Sequence, residues 1–190
     1  MAETPDNINS ANGQLSVWDW PVRLCHWATV MLLPALWYTG EEGIFDWHFP
    51  LAYTLLGVWS FRILWFFIGS PYAKWQSLTL APAKVKAYLT GQETTYYGHN
   101  PLGSYSVLLM LGLIGLQLAS GLVSSDDFMY DGPLVGILPG SLESLLNRIH
   151  HLNVNLLIGV IGLHLSAVAY YQWVKRQPLI QSMLHGRKPK

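Results

Sequence analysis

The placement of the charged residues constrains this chain more than any other feature. Residues 24–40, 101–125 and 149–174 contain no Asp, Glu, Lys or Arg, and residues 47–73 contain only Arg62. A helix needs about 20 mostly apolar residues to span a bilayer, and it tolerates charge poorly at its centre. The sequence therefore predicts an all-α integral membrane protein built as a bundle of four transmembrane helices.

The overall charge excludes several other classes of protein. Charged residues make up 12% of the chain, well below the usual ~25% and too few to cover a water-facing surface. Eleven Lys plus Arg balance eleven Asp plus Glu, which excludes the basic surface that nucleic-acid binding needs. The single cysteine, Cys25, excludes an internal disulfide framework and a Cys-x-x-Cys-His haem attachment site. The class of protein that remains is a membrane protein, which could hold a non-covalent cofactor.

The connecting segments predict the orientation and the boundaries of the domain. Most Lys and Arg residues lie on the side shared by both termini and the second-to-third connection, so we expect both termini to be cytoplasmic. The polar opening lacks the order of a cleavable signal peptide, so the first span should remain as an anchor. We expect a disordered tail over residues 1–16, the four-helix domain over 17–176 and a basic cytoplasmic tail over 177–190. Residues 77–91 predict a short surface helix, and residues 124–143 an acidic outward loop.

Four histidines lie in or at the ends of the predicted spans, where ionisable groups are costly and point to function. His26 lies near the cytoplasmic face, whereas His48 and His150 lie near the outer face. His164 follows 14 residues after His150, which places it roughly 21 Å further in on the same helix face. The neighbouring His151 would sit about 140° away around the helix. The spacing therefore predicts an outer pair, His48 with His150, and an inner pair, His26 with His164.

Two pairs of imidazoles inside a helical bundle suit two bis-histidine haems. A structural zinc ion would need four ligands that converge on one point, including Cys or carboxylate. Copper or a di-iron centre would need thiolates or buried carboxylates, which the spans lack. A proton relay, and plain hydrogen bonding between helices, stay open as alternatives.

Four segments resemble one known family. They are VWDWPVRLCHW before the first span, HFPLAYTLLGVWSFRILWFFIGSPYAKW for the second, GHNPLGSYSVLLML at the third and HHLNVNLLIGVIGLH in the fourth. They are similar to the bacterial cytochrome b561 family, which includes the b-type cytochrome subunits of nickel-iron hydrogenases. The similarity covers residues 17 to about 176. It implies four helices that hold two haems b through histidines at the positions of His26, His48, His150 and His164. One departure is Ala52, where many relatives have glycine, and we expect it to shift a haem ring without loss of the haem.

The resemblance also implies a function. It predicts an electron-transfer subunit of the oxidoreductase type, which crosses the bacterial inner membrane several times and belongs to a respiratory chain. Electrons would pass between quinone and an outer-side partner, such as a periplasmic c-type cytochrome or a hydrogenase, and the acidic stretch from Asp126 to Asp131 would form part of the docking surface. A superoxide oxidase that reduces quinone ranks second, because the outer surface is acidic with Arg148 as its one cation. A third alternative, a non-redox membrane scaffold, predicts no haem absorption.

Three further residues are weaker candidates. Arg62 follows His48 by 14 residues, so we expect it near the inner haem, where a propionate would compensate its charge. Arg23 would serve another propionate or act as an ordinary anchor on the cytoplasmic side. His99 would contact a propionate or a quinone, or would cap the loop before the third span.

Overall fold

The fold is mostly helical, and the computed structural model describes residues 14–92, 96, 98–125 and 129–189. In chain order the described elements are β1 (Gln14–Ser16), α1 (Trp20–Glu41), α2 (Phe45–Ile68), a 3₁₀ turn (Trp75–Ser77), α3 (Pro82–Leu89), α4 (Pro101–Gly121), α5 (Gly140–Ala169), a π-helical turn (Tyr170–Val174), α6 (Leu179–His185) and β2 (Arg187–Pro189). The four long helices α1, α2, α4 and α5 include the predicted spans.

Short polar residues fix the starts of two of these helices. The carboxylate of Asp19 accepts from the Val22 amide at 3.0 Å and caps α1. The side chain of Asn100 accepts from the Gly103 amide at 2.7 Å and caps α4. In both helices a proline follows the cap, where its fixed φ favours the first turn and its missing N–H is not needed.

Three helices in the described part of the chain are long and apolar enough to cross a membrane: Phe45–Ile68, Pro101–Gly121 and Gly140–Val174, the last including the π-helical turn. Helix α1 has 22 residues, which is also long enough for a span of ~30 Å. It is less apolar than the other three because it includes Arg23, His26, Pro34 and Glu41 together with several aromatic and hydroxyl side chains.

Side chains from the four long helices meet in one apolar cluster at mid-length. Its buried members are Leu55 of α2, Leu113 and Ile114 of α4 and Leu157 of α5, and α1 contributes Leu32, Leu33 and Leu36. Many other large apolar side chains on the same helices face outward, including Met31, Phe67 and Leu163. Exposed apolar surface of this extent fits helices surrounded by lipid.

The helices run in alternating directions, so the assembly has two distinct ends. At the end that we name the terminal end, Trp65 Nε1 near the close of α2 donates to Asp19 at 2.8 Å. Trp18 also packs there against His99, which precedes α4. At the opposite end, named the loop end, Gly43 turns the chain from α1 into α2 with a φ of 65°, and Tyr130 donates to Asp46 at 3.0 Å.

The two ends of the described chain, which belong to the expected N-terminal and basic C-terminal tails, pair with each other. β1 pairs antiparallel with β2, with Leu15 opposite Lys188. The amides of Val17 and Trp18 both donate to the Gly186 carbonyl, at 2.8 and 3.0 Å. Because Val17 and Trp18 are buried, this pairing removes apolar surface from water and holds residues 177–189 against α1. Residues 1–13 of the expected N-terminal tail lie outside the described residues.

The connections between helices agree with the expectations only in part. The predicted surface helix within residues 77–91 corresponds to α3. The predicted loop over 124–143 is shorter than expected, because α5 begins at Gly140 and Pro139 precedes it as a cap. Asp126 and Asp127 of the expected acidic docking surface lie outside the described residues, and Asp131 is exposed.

Candidate functional site

The four predicted histidines come from three helices and are all half-buried. His26 lies near the start of α1 and His48 near the start of α2, whereas His150 and His164 both belong to α5. His26 lies close enough to His164 for their charges to interact, and His48 and His150 interact in the same way. The first pair is towards the terminal end and the second towards the loop end.

His48 is held against α1 by its Nδ1 atom. Nδ1 donates to the Leu36 carbonyl at 3.1 Å and lies 3.2 Å from the Thr39 hydroxyl. A Cβ atom at Gly40 would come within 3.2 Å of His48 Cε1, so the glycine leaves room for the ring. A backbone acceptor at Nδ1 fixes the tautomer that leaves Nε2 free to bind a metal.

His150 is held against α4 in the same manner. Its Nδ1 atom donates to the Gln117 carbonyl at 3.0 Å and lies 3.2 Å from the Ser120 hydroxyl. A Cβ atom at Gly121 would approach His150 Cε1 to 2.8 Å, closer than real Cβ contacts allow. The small residue on α4 is therefore a condition for this position of the ring.

A buried amide network extends the environment of His150. The Gln117 side-chain nitrogen lies 3.2 Å from each ring nitrogen, and Gln117 Oε1 accepts from Asn153 at 2.7 Å. Asn153 also donates to the Leu113 carbonyl at 2.9 Å. His151, by contrast, is exposed, which agrees with the predicted rotation of about 140° away from His150.

Arg62 and His99 both point buried nitrogen atoms into the terminal end. Arg62 lies over the Phe66 ring at 5.1 Å, and the His99 ring lies 4.7 Å from that of Trp18. Within the described residues, Arg62 Nη1 and His99 Nδ1 are buried without a hydrogen-bond partner. Burial, and then the positive charges of Lys188 and Arg62, lower the pKa of His99 to about 4, so its imidazole is neutral at pH 7.

The remaining predicted residues have structural contacts. Arg23 donates through Nε to the Met183 carbonyl at 3.2 Å and through Nη2 to the Leu184 carbonyl. These are carbonyls of the last turn of α6, which a cation stabilises. Cys25 is buried beside His26, and Ala52 lies half-buried on α2.

Comparison with known proteins places these residues in a family. A family model described as prokaryotic cytochrome b561 matches residues 17–186. The chain belongs to the prokaryotic cytochrome b561 family. Cytochromes of the b type carry haem b, so this chain is a haem-binding membrane protein of electron transport.

Curated relatives of this cytochrome carry one common name, "Probable Ni/Fe-hydrogenase B-type cytochrome subunit". The relative from Azotobacter vinelandii is 26% identical, over 97% of this chain and 93% of its own. The relative from Azotobacter chroococcum is 25% identical, with the same two coverages of 97% and 93%. The relative from Bradyrhizobium diazoefficiens is 24% identical over 90% of this chain and 85% of its own length. The similarity therefore extends over nearly the whole of each protein.

The donor chemistry of the site fits haem. Among the described residues, no three or more His, Cys, Asp and Glu side chains converge as a metal site. A haem asks less of the protein, because the porphyrin supplies four nitrogen ligands and the chain only the axial ones. The glycines opposite His48 and His150, and the carbonyls that orient their rings, match what such axial ligands need.

Several residues of this environment had no clear signal in the sequence. Gly40 and Gly121 are glycines among seventeen in the chain, and only the crossing of two helices shows which of them faces an imidazole. Gln117 and Asn153 are polar residues within apolar stretches, which is a signal visible in the sequence, although neither side chain is ionisable. Lys188 lay in the expected tail, and the pairing of β1 with β2 brings it to His99.

Proposed function

We propose that this cytochrome holds two haems b, one ligated by His26 and His164 and the other by His48 and His150. The observation that carries the proposal is the proximity of the histidines: His26 of α1 lies within electrostatic range of His164 of α5, and His150 of α5 lies within electrostatic range of His48 of α2. Each pair of imidazoles, supplied by two different helices, would hold one haem iron, which would supply one-electron chemistry. The hydrogen bonds from the Nδ1 atoms of His48 and His150 to backbone carbonyls favour ligation through Nε2.

The four long helices form a transmembrane bundle in the bacterial inner membrane, with the terminal end in the cytoplasm. The distribution of charge supports this orientation through the positive-inside rule. Basic residues of the described chain at the terminal end are Arg23, Lys74, Lys84, Lys86, Lys175, Arg176, Arg187 and Lys188. Described residues at the loop end include Glu41, Glu42, Asp46, Asp131 and Glu143, with Arg148 as a cation.

The function that we propose is electron transfer through the membrane between quinone and a redox protein at the outer face. When bound, haem iron supplies the one-electron chemistry. The chain holds one histidine pair towards each end of the bundle, so electrons can cross much of the bilayer thickness. The names of the relatives favour a hydrogenase as the outer partner, with a periplasmic c-type cytochrome as the other candidate. Exposed carboxylates at the loop end would steer a basic docking surface.

Single histidine substitutions test the pairing. We expect His48→Ala or His150→Ala to remove the haem at the loop end only, and His26→Ala or His164→Ala to remove the haem at the terminal end only. Haem content and two-step redox titration of the folded fraction measure this. His151→Ala is the matched control, because it removes an exposed imidazole from the same helix, and it should retain both haems. Loss of a haem in His151→Ala together with full retention in His150→Ala would refute the assignment.

A further inference from the structure

Three nitrogen-bearing side chains converge at the terminal end from parts of the chain that are far apart in sequence. Arg62 belongs to α2, His99 precedes α4, and Lys188 belongs to β2. Lys188 Nζ donates to the Gly98 carbonyl at 3.3 Å and lies 5.5 Å from the Trp18 ring, over its face. His99 interacts electrostatically with both Lys188 and Arg62. We name these three residues the cationic cluster.

The cationic cluster has more hydrogen-bond donors than the described residues satisfy. Arg62 Nη1 is a buried donor without a partner, and His99 Nδ1, which donates in one tautomer of the neutral imidazole, is also buried without a partner. The Lys188 ammonium has three donors for the Gly98 carbonyl. Arg62 and Lys188 carry the charge of the cluster, and burial of a charged group without a counterion is strongly unfavourable. Such an arrangement is stable when an anion with several acceptor oxygen atoms binds between the donors.

The carboxylate nearest to the cluster is already engaged. Asp19 interacts electrostatically with Arg62, but its oxygens accept from Val22 N at 3.0 Å, Trp65 Nε1 at 2.8 Å and Ser70 N at 3.4 Å. It therefore serves as a helix cap and a link to α2. Two permanent cations, Arg62 and Lys188, remain to be matched by negative charge.

The cluster adjoins the inner histidine pair, because His99 also interacts with His164. Haem b carries two propionate carboxylates, equal in number to the permanent cations of the cluster. A quinone is neutral and would offer carbonyl oxygens, which do not compensate the positive charges of Arg62 and the half-buried Lys188. The number of charges and the location therefore favour the carboxylates of a haem.

We propose that Arg62, His99 and Lys188 bind the propionates of the haem that His26 and His164 ligate, with Lys188 supplied by the C-terminal strand. This inference rests on the proposed function, since the propionates belong to the haem that His26 and His164 are proposed to ligate. A positive charge beside the propionates favours the reduced haem, because reduction removes one positive charge from the iron. Removal of this positive charge must lower the midpoint potential of that haem and leave the potential of the other haem unchanged.

Potentiometric titration of purified Lys188→Met tests the proposal against a matched control, Arg187→Met. Arg187 is the exposed neighbour on the same strand, so both variants lose one positive charge. We expect Lys188→Met to lower the reduced-to-oxidised ratio of one haem about tenfold at a fixed applied potential. For a one-electron couple, this corresponds to a midpoint potential that is lower by about 59 mV. Arg187→Met should titrate like the parent, and Lys188→Arg should restore most of the shift. If Lys188→Met does not fold, Lys188→Gln, which keeps a donor without charge, replaces it.

Two further measurements identify the haem and its carboxylates. In a His150→Ala background, the single remaining haem should show the same shift. Redox-difference infrared spectra of protein loaded with haem labelled with carbon-13 at the propionate carboxyls should show label-sensitive bands that move in Lys188→Met and not in Arg187→Met.

The outcomes separate this inference from the proposed function. A parent protein without two haems contradicts the proposed function itself. A parent with two haems, together with a Lys188→Met variant that titrates identically, overturns the cationic cluster as a propionate site and leaves the histidine assignment intact. A change in quinol affinity without any shift in potential also overturns it and identifies quinone as the ligand.

Discussion

The His150 imidazole owes its position to the absence of a side chain on the facing helix. A Cβ atom at Gly121 would lie 2.8 Å from His150 Cε1, so any larger residue must displace the ring. The ring is further fixed by its hydrogen bond to the Gln117 carbonyl. Small errors in ligand orientation change the electronic structure and the stability of a metal site.

Gly121→Ala should therefore disturb the haem at the loop end and leave the other unchanged. We expect a shifted or broadened low-spin electron paramagnetic resonance signal for one haem, with partial loss of that haem. Gly112→Ala is the control on the same helix, because a Cβ atom there meets nothing within 4 Å. Gly112 lies in the interior of α4, where alanine gains about 0.5–1 kcal/mol over glycine, and Gly121 is the last residue of the helix, so the comparison rests on the haem spectra and not on stability. Identical spectra for the two variants would show that Gly121 does not set the position of the ring.

At the scale of elements, Asp19 links the start of α1 to the end of α2. It caps α1 through Val22 and accepts from Trp65. Burial opposes ionisation of Asp19, but hydrogen bonds from Ser70, Trp65 and Val22 outweigh it and hold its pKa below the ordinary value of 3.8. The ionised Asp19 carboxylate therefore stabilises the folded state fully at pH values above its ordinary pKa of 3.8. This stabilisation is lost as the pH falls through the lowered pKa of the folded state.

Asp19→Ala should lower the free energy of unfolding by about 1–2 kcal/mol through the lost cap, and further because Trp65 Nε1 loses its acceptor. Thermal unfolding in detergent at neutral pH measures the effect. Glu41→Ala, which removes an exposed carboxylate from the other end of α1, should change stability by no more than about 0.5 kcal/mol. An equal loss in the two variants would exclude the link through Asp19.

The elements differ in how far the sequence predicts them. Charge-free stretches predict the apolar helices because the cost of charge in a bilayer is local and visible in the residues themselves. The start of α5 at Gly140 was missed, since Pro139 and Gly140 are turn formers that here form the cap and the first residue of a helix. The pairing of β1 with β2 was missed because it depends on two short segments from opposite ends of the chain. The same limit applies to the site: spacing selects the four histidines, but the carbonyls of Leu36 and Gln117 depend on how the helices are rotated.

For the whole molecule, the alternating helices bring both described ends of the chain to the terminal end. The paired strands and α6 hold that end together, and β2 contributes Lys188 to the cationic cluster. The loop end carries exposed carboxylates, and its contacts include the hydrogen bond from Tyr130 to Asp46 and that from the Gly136 amide to Glu143. In the proposed orientation, the terminal end with its paired strands would face the cytoplasm, and the acidic loop end would face a partner outside the membrane.

The number and type of haems per chain test the central claim most directly. A pyridine haemochrome assay on purified protein, normalised to the protein concentration, should give two haems b per chain. The electron paramagnetic resonance spectrum of the oxidised protein should show two low-spin signals of bis-histidine type. One haem or none per chain, or a stable high-spin signal in the native protein, would contradict the account.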